Sequence, residues 1–165
     1  MSLAIDWFGV RKGEDPMRYL DDVYRYAAVR LNQREDAEDI AIEVVQALPN
    51  PCSKSNLKVY MLGMARRKIA DRLRKARPEQ VIRESELSHR FDQSFVESQL
   101  VNQTFERLSA EHREALTLKY IVGLSSIEMG KVLSKRPEAV DSLLQRARES
   151  FGKSWNDLSS DEVKQ

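Results

Sequence analysis

Between Arg66 and Arg77 the chain places seven bases and a single acid. Guanidinium and ammonium groups at that density on one helical stretch suit a polyanion, phosphates first among them. The competing reading is a solvated helix whose charges meet acids of the same fold. Such acids lie just upstream. From Glu14 to Ala47 there are nine acids to four bases, and from Lys54 to Arg90 eleven bases to four acids. The 27 bases and 26 acids of the 165-residue chain nearly cancel, so the asymmetry is local and points to two partners of opposite charge. A second polar row lies near the C-terminus. Glu138, Ser142, Gln145 and Glu149 share one side of a helical pattern, flanked by Arg146 and Arg148, with Lys135 and Arg136 in the turn before it. Serine, glutamine and arginine are side chains that hydrogen-bond base edges and phosphates.

Catalytic chemistry finds little support. His89 and His112 are the only histidines, Cys52 stands alone, and no glycine-rich phosphate loop occurs. His112 falls in a capping turn, where a surface role is the simpler reading. No catalytic residue, metal site or cofactor is therefore expected, and one cysteine excludes an internal disulfide. Hydrophobic residues make up 41% of the chain, and no run approaches the roughly 18–20 apolar residues of a bilayer span. The first ten residues lack a basic segment followed by an apolar one. The expectation is a soluble, cytoplasmic protein without membrane insertion.

Helices must position these side chains, because six glycines and five prolines leave long stretches free of both. Asp15-Pro16 opens a first helix with Leu20, Val23, Tyr24, Ala27 and Leu31 on its buried face. After a break at Asn32-Gln33, a second runs from about Asp36 to Leu48. It buries Ala37, Ile40, Ala41, Val44 and Val45 and turns Glu38, Asp39, Glu43 and Gln46 outward. Pro49-Asn50-Pro51 stops it. Ser55 or Asn56 caps a third helix that carries the bases to about Ala76. In that helix Tyr60 falls in the apolar stripe, which assigns it to the core. Residues 79–103 are polar and charge-mixed and read as a tether, the competing reading being a packed connecting helix. Beyond it Phe105, Leu108, Ala115, Leu116, Leu118, Tyr120 and Ile121 supply a second core, and Gly123 ends a helix. Ser125 and Glu128 form a capping box that starts a short helix ending at Leu133. Pro137 then opens a last helix with Val140, Leu144, Ala147 and Phe151 inward, and the chain frays from Trp155. A short helix, a turn of about four residues and a second amphipathic helix make a helix-turn-helix. In that motif the first helix braces on phosphates while the second enters the major groove. The competing reading is a hairpin used only for packing. The expected fold class is all-α, with two small helical domains, 14–78 and 104–155, joined by the polar linker 79–103.

With these elements in place the chain resembles bacterial RNA polymerase sigma factors of the extracytoplasmic-function (group 4) class of the sigma-70 family, which keep only regions 2 and 4. Two blocks carry the resemblance. Asp36-Ala37-Glu38-Asp39-Ile40-Ala41-Ile42-Glu43, with Leu57 to Met61, Ala65-Arg66, Ile69-Ala70-Asp71 and Leu73-Arg74-Lys75, is similar to region 2. Leu108 to Leu116, then Tyr120, Gly123-Leu124-Ser125, Glu128 and Val140 to Arg148, is similar to region 4. The resemblance implies a promoter-specificity subunit with no catalysis of its own. Asp36, Asp39, Glu43 and Gln46 would dock on the clamp coiled coil of the largest core RNA polymerase subunit. The loop from Pro49 to Ser55, with Asn56, Lys58, Arg66, Arg67, Arg74 and Lys75, would melt and capture the promoter −10 element. The helix-turn-helix would read −35 DNA through Ser125, Lys135, Arg136, Glu138, Ser142, Gln145, Arg146 and Arg148, with region 4 also meeting the polymerase flap. An anti-sigma factor would close the two domains on each other.

The chain departs from the family in places. Asp141 and Leu143 stand where lysine and arginine are usual, and an acid near phosphates repels them. That weakens −35 binding, alters its sequence preference, or makes it depend on a partner. Gly130 replaces a usual alanine and leaves room for close packing. Arg67 replaces an asparagine, Gly63 stands where a bulkier residue is common, and the 49–55 loop lacks the usual aromatic and glycine. Asp141 and Leu143 motivate a rival: a sigma-like mimic that binds an anti-sigma regulator without initiating transcription.

Overall fold

The computed structural model describes residues 14–31, 33–49, 56–76 and 99–162. Asn32, the 50–55 loop with Cys52, and residues 77–98, which include the tether up to 98 and His89, lie outside these. Among the described residues every regular element is helical. The first body is built from a 3-10 turn, Pro16–Tyr19, and helices α1 (Leu20–Ala28), α2 (Arg34–Gln46) and α3 (Leu57–Ala76). Asp15 opens the turn, its carboxylate accepting from the Met17 amide at 2.9 Å. Val23, Tyr26 and Ala27 of α1 pack with Ala37, Ile40 and Val44 of α2 and Met61, Leu62, Ala65 and Ile69 of α3, all essentially without exposure. Most of these fall on the expected helical stripes, but in α1 Tyr26, not in the stripe read from the sequence, is fully buried, and Tyr24 only partly. Asn56 caps α3, its side-chain oxygen accepting from the Val59 amide at 3.1 Å. Tyr60 is half-buried against this core.

The second body holds α4 (Gln99–Glu106), α5 (Ala110–Leu116), a π-helical turn (Thr117–Ile121), α6 (Ser126–Leu133) and α7 (Pro137–Glu162). Helix α4 starts at Gln99, inside the stretch read as tether. Arg113 fastens its end, donating to the carbonyls of Phe105, Glu106 and Leu108 at 3.0, 3.0 and 3.2 Å. The first two carbonyls belong to the last turn of α4, whose end leaves carbonyls short of intrahelical partners, and the third to the turn that follows. Burial lowers the Arg113 pKa, with Glu106 opposing.

Three sequence expectations change here. Tyr120, assigned to the core by its phase, is 61% exposed. The π-helical turn inserts an extra residue per turn and rotates the following positions, so the 3.6-residue phase fails there. Leu143 is 1% exposed, a core side chain beside Leu144 and not one that faces a groove. The tail does not fray at Trp155. Helix α7 continues to Glu162, Trp155 stacks on Phe151, Phe151 meets Phe105 edge-on, and Leu158 is buried. At about 1.5 Å per residue α7 is about 39 Å long.

Gly123 ends the π-helical turn at φ +80°, where a side chain is strained. Gly130 has the reason suspected of it. A Cβ there would stand 2.7 Å from the Lys135 carbonyl oxygen, so α6 meets the turn into α7 more closely than alanine allows. Gly63 faces open space, and nothing in the structure explains it.

The two bodies touch, α1 against the π-helical turn and α3 against α6, and their buried side chains form one continuous cluster.

Candidate nucleic-acid interface

The helix-turn-helix consists of α6, the 134–136 turn and the first half of α7. Its start is fixed by the capping box. The Ser125 amide donates to the Glu128 carboxylate at 2.9 Å, and the Ser125 hydroxyl accepts from the Glu128 amide at 3.3 Å. The Ser125 amide and the Ser125 hydroxyl, which also donates to the Glu128 carboxylate at 2.9 Å, both favour the ionised form and lower the Glu128 pKa. Slight burial opposes them, and Asn56 and Lys58 add to the lowering. The turn passes through Ser134 at φ 55° and ends at Pro137, the first residue of α7. Lys135 and Arg136 are exposed there, Lys135 paired with Glu111 at 3.2 Å.

Val140, Leu143, Leu144 and Ala147 anchor α7 in the core, which leaves Glu138, Asp141, Ser142, Gln145, Arg146, Arg148 and Glu149 exposed. Several exposed side chains are already engaged. Asp141 accepts from the Ser126 hydroxyl, so its carboxylate braces α7 on the N-terminus of α6. Gln145 donates to Glu149 at 3.1 Å, and Ser142 donates back to the Glu138 carbonyl at 3.0 Å. Arg148 donates to the Tyr120 hydroxyl at 2.8 Å. The row thus starts with the acids Glu138 and Asp141, carries Arg146 and Arg148 further along, and closes with Glu149.

The acidic face of α2 meets α3. Arg72 bonds Asp36 and Glu43, both at 2.9 Å, and stands 3.9 Å from Asp39, while Lys68 bonds Glu43 at 3.1 Å. The competing reading of the charge map, acids and bases meeting inside one fold, thus holds for Asp36 and Glu43. Asp39 stays 64% exposed at its side chain, and Gln46 is exposed.

The six α3 candidates divide. Arg67, Arg74 and Lys75 are exposed; Arg67 donates to the Gly63 carbonyl within its own helix and Arg74 pairs with Asp71. Asn56, Lys58 and Arg66 instead face the second body. Asn56 donates to Glu128 at 2.9 Å, and Lys58 donates to the Val122 carbonyl at 2.8 Å while pairing with Asp22 at 3.0 Å. Arg66 donates to Glu114 at 3.0 Å.

Glu114 was not singled out in the sequence, yet it is 5% exposed at the centre of this contact. Its carboxylate accepts from the Tyr26 hydroxyl, from Arg30 at 2.7 Å and from Arg66. Arg30 also donates to the Tyr26 hydroxyl at 2.8 Å. Burial pushes the Tyr26 pKa well above its ordinary value, and the Glu114 charge adds to this. Burial works against the Arg66 charge, but Glu114 and Tyr26 outweigh it and leave the Arg66 pKa raised. Its signals in the sequence were its place after Arg113 in the Leu108–Leu116 block that resembles region 4 and its position directly before the apolar pair Ala115-Leu116. Among the described residues no cluster of His, Cys, Asp and Glu could hold a metal ion, and no helix is long and apolar enough to cross a membrane.

Comparison with known proteins matches both bodies. The family model described as Sigma-70 region 2 covers residues 17–79, and that described as Sigma-70, region 4 covers residues 98–151. The chain is 27% identical over 161 residues to the ECF RNA polymerase sigma factor SigW of Bacillus subtilis, covering 85% of this chain and 86% of SigW. It is 27% identical over 145 residues to the ECF RNA polymerase sigma factor BldN of Streptomyces coelicolor, covering 79% of this chain and 54% of BldN. A similar fold occurs in the sigma factor RpoE of Bartonella quintana, crystallised with the anti-sigma factor NepR. The TM-score is 0.65 at 19% identity, over 85% of this chain and 93% of that one. An all-helical chain carrying both regions in order, with a capped helix-turn-helix in the second and relatives that are extracytoplasmic-function sigma factors, belongs to the sigma-70 family.

Proposed function

We propose that this chain binds core RNA polymerase and directs promoter-specific initiation, with no catalysis of its own, in the cytoplasm. The observation that carries the reading is the pairing in one chain of a capped helix-turn-helix with a cationic region 2 helix whose Arg67, Arg74 and Lys75 stand in solvent. In this reading residues 14–78 serve polymerase docking and the −10 element, 79–103 tether, and 104–155 serve the −35 element. Docking on the clamp coiled coil falls most heavily on Asp39 and Gln46, because Asp36 and Glu43 already hold Arg72 and Lys68. Arg136, Ser142, Gln145, Arg146 and Arg148 read or grip −35 DNA, with Lys135 on a passing phosphate. Ser125 acts by fixing the start of α6. Contact of region 4 with the polymerase flap and control by an anti-sigma factor are carried over from the family.

Transcription with purified core polymerase, with mapping of transcript 5′ ends, tests the reading. Promoter-dependent starts are expected, and Asp39→Lys should abolish them by weakening core binding. A second reading, a mimic that captures an anti-sigma regulator, has Glu138 and Asp141 in its favour, acids at the end of α7 that would enter the groove. Anti-sigma binding with no transcript from any promoter would select it.

A further inference from the structure

The first turns of α7 present Glu138, Asp141, Ser142 and Gln145 at steps of three and four, on the side of the helix away from Val140, Leu144 and Ala147. In a helix-turn-helix these are the turns that face base edges. Ser142 and Gln145 bond within their own helix, whereas Asp141 is aimed by another one. Ser126, the first residue of α6, donates to its Oδ1 at 2.5 Å. Among the described residues Oδ2 takes neither a hydrogen bond nor an ion pair. One carboxylate oxygen is thus held and the other is free in the row that meets the groove. An ionised carboxylate only accepts, so it gains nothing from phosphates and discriminates between bases by their donors. In the major groove guanine shows two acceptors, and thymine an acceptor beside a methyl group. Adenine sets its N6 donor next to the N7 lone pair, which repels the carboxylate. Cytosine alone shows a donor, the N4 amine, with no acceptor on its own edge.

We infer that Asp141 is a base-reading residue of the helix-turn-helix, accepting through Oδ2 from the N4 amine of a cytosine in the −35 duplex, with Ser126 as its positioning residue. The inference rests on the promoter reading above and adds one base to it. Repulsion between Asp141 and phosphates then serves selection: the chain gives up affinity for duplexes in general and recovers it where a cytosine amine meets the carboxylate. Arg146, whose guanidinium suits guanine, lies five residues further on, about 7.5 Å along the helix axis, so the two side chains meet different base pairs.

Selection by the full-length chain from DNA duplexes randomised over the −35 segment tests this, beside transcription of the selected duplexes by purified core polymerase. The parent chain should enrich a C·G pair that depends on Asp141. Asp141→Asn keeps the shape, and the Ser126 hydroxyl can still donate to its side-chain oxygen, but the free atom turns from acceptor into donor. Cytosine should pass there from the favoured to the disfavoured base, a change of about tenfold or more, while the preference set by Arg146 stays. N4-methylcytosine at that position keeps the Watson–Crick pair and removes the major-groove N4–H. It should weaken binding of the parent chain about tenfold and leave binding of Asp141→Asn unchanged. Ser126→Ala should narrow the cytosine preference and Ser126→Thr should restore it. Identical base preferences in the parent and Asp141→Asn overturn the inference, and so does parental binding that N4-methylcytosine does not weaken. Transcription from selected duplexes that show no Asp141-dependent base would overturn this inference alone. Cytosine-dependent binding that never yields a transcript would overturn only the promoter reading.

Discussion

Arg66 and Arg72 sit six residues apart on one helix and both bind carboxylates, yet they join different things. Arg72 reaches across to α2 and ties one domain together in a half-exposed network with Asp36 and Glu43. Arg66 reaches out of its domain to a glutamate that water scarcely touches. Solvated pairs are screened and contribute little, while a buried charge is costly to leave alone. The same residue type, less than two turns away, therefore passes from stitching within a domain to deciding whether two domains stay together.

The sharpest way to break this contrast is Glu114→Ala. Removing the shared acceptor strands two guanidinium groups and a phenol, at a cost of about 3 kcal/mol if the domains remain packed. The chain avoids that cost by separating. One thermal transition in the parent should therefore become two in the variant, and a single unshifted transition would show that Glu114 couples nothing. Tyr26→Phe is milder. It removes the hydroxyl that both Glu114 and Arg30 use, should cost about 1.5 kcal/mol in denaturant titration, and should keep the single transition. Arg72→Ala should cost about 1 kcal/mol or less and leave the coupling between domains unchanged. A loss as large as that at Glu114 would erase the distinction between the two networks.

The smallest effect is a pH dependence. Glu128 has a folded pKa below its ordinary 4.5. Its stabilising effect is fully present above that ordinary value and is lost as pH falls through the lower folded one. Acid titration of stability should therefore show a component that disappears in Glu128→Gln. The same slope in parent and variant would remove the Ser125 bonds as its cause.

Local chemistry was legible in the sequence wherever its partner lay within a turn or two. The Asp15 and Ser125 caps, the Gly123 stop and the apolar stripes of α1 to α3 follow from propensity and period. Tyr120 was misread because a π-helical turn breaks the period without a proline or glycine to announce it. Leu143 was misread because the family pattern outweighed its own place beside Leu144, and the tail because its polar composition hid the Phe151-Trp155 stack. Glu114 was missed for a different reason. Its partners Tyr26, Arg30 and Arg66 are 88, 84 and 48 residues away, and no local pattern encodes which distant charge a carboxylate will meet. The acids and bases of α2 and α3 were visible as a ledger, but which of them cancel depended on geometry.

Helix α7 joins two tasks in one rigid body. Its early turns carry the exposed side chains proposed above to read DNA, and its later turns hold the Phe105-Phe151-Trp155 stack against α4. With no break between them it behaves as a lever. In the proposed promoter reading, a tilt of the reading end on a duplex would swing the far end the opposite way and carry the packed α4 with it. The pose of one domain on DNA would thereby set the position from which the other must reach.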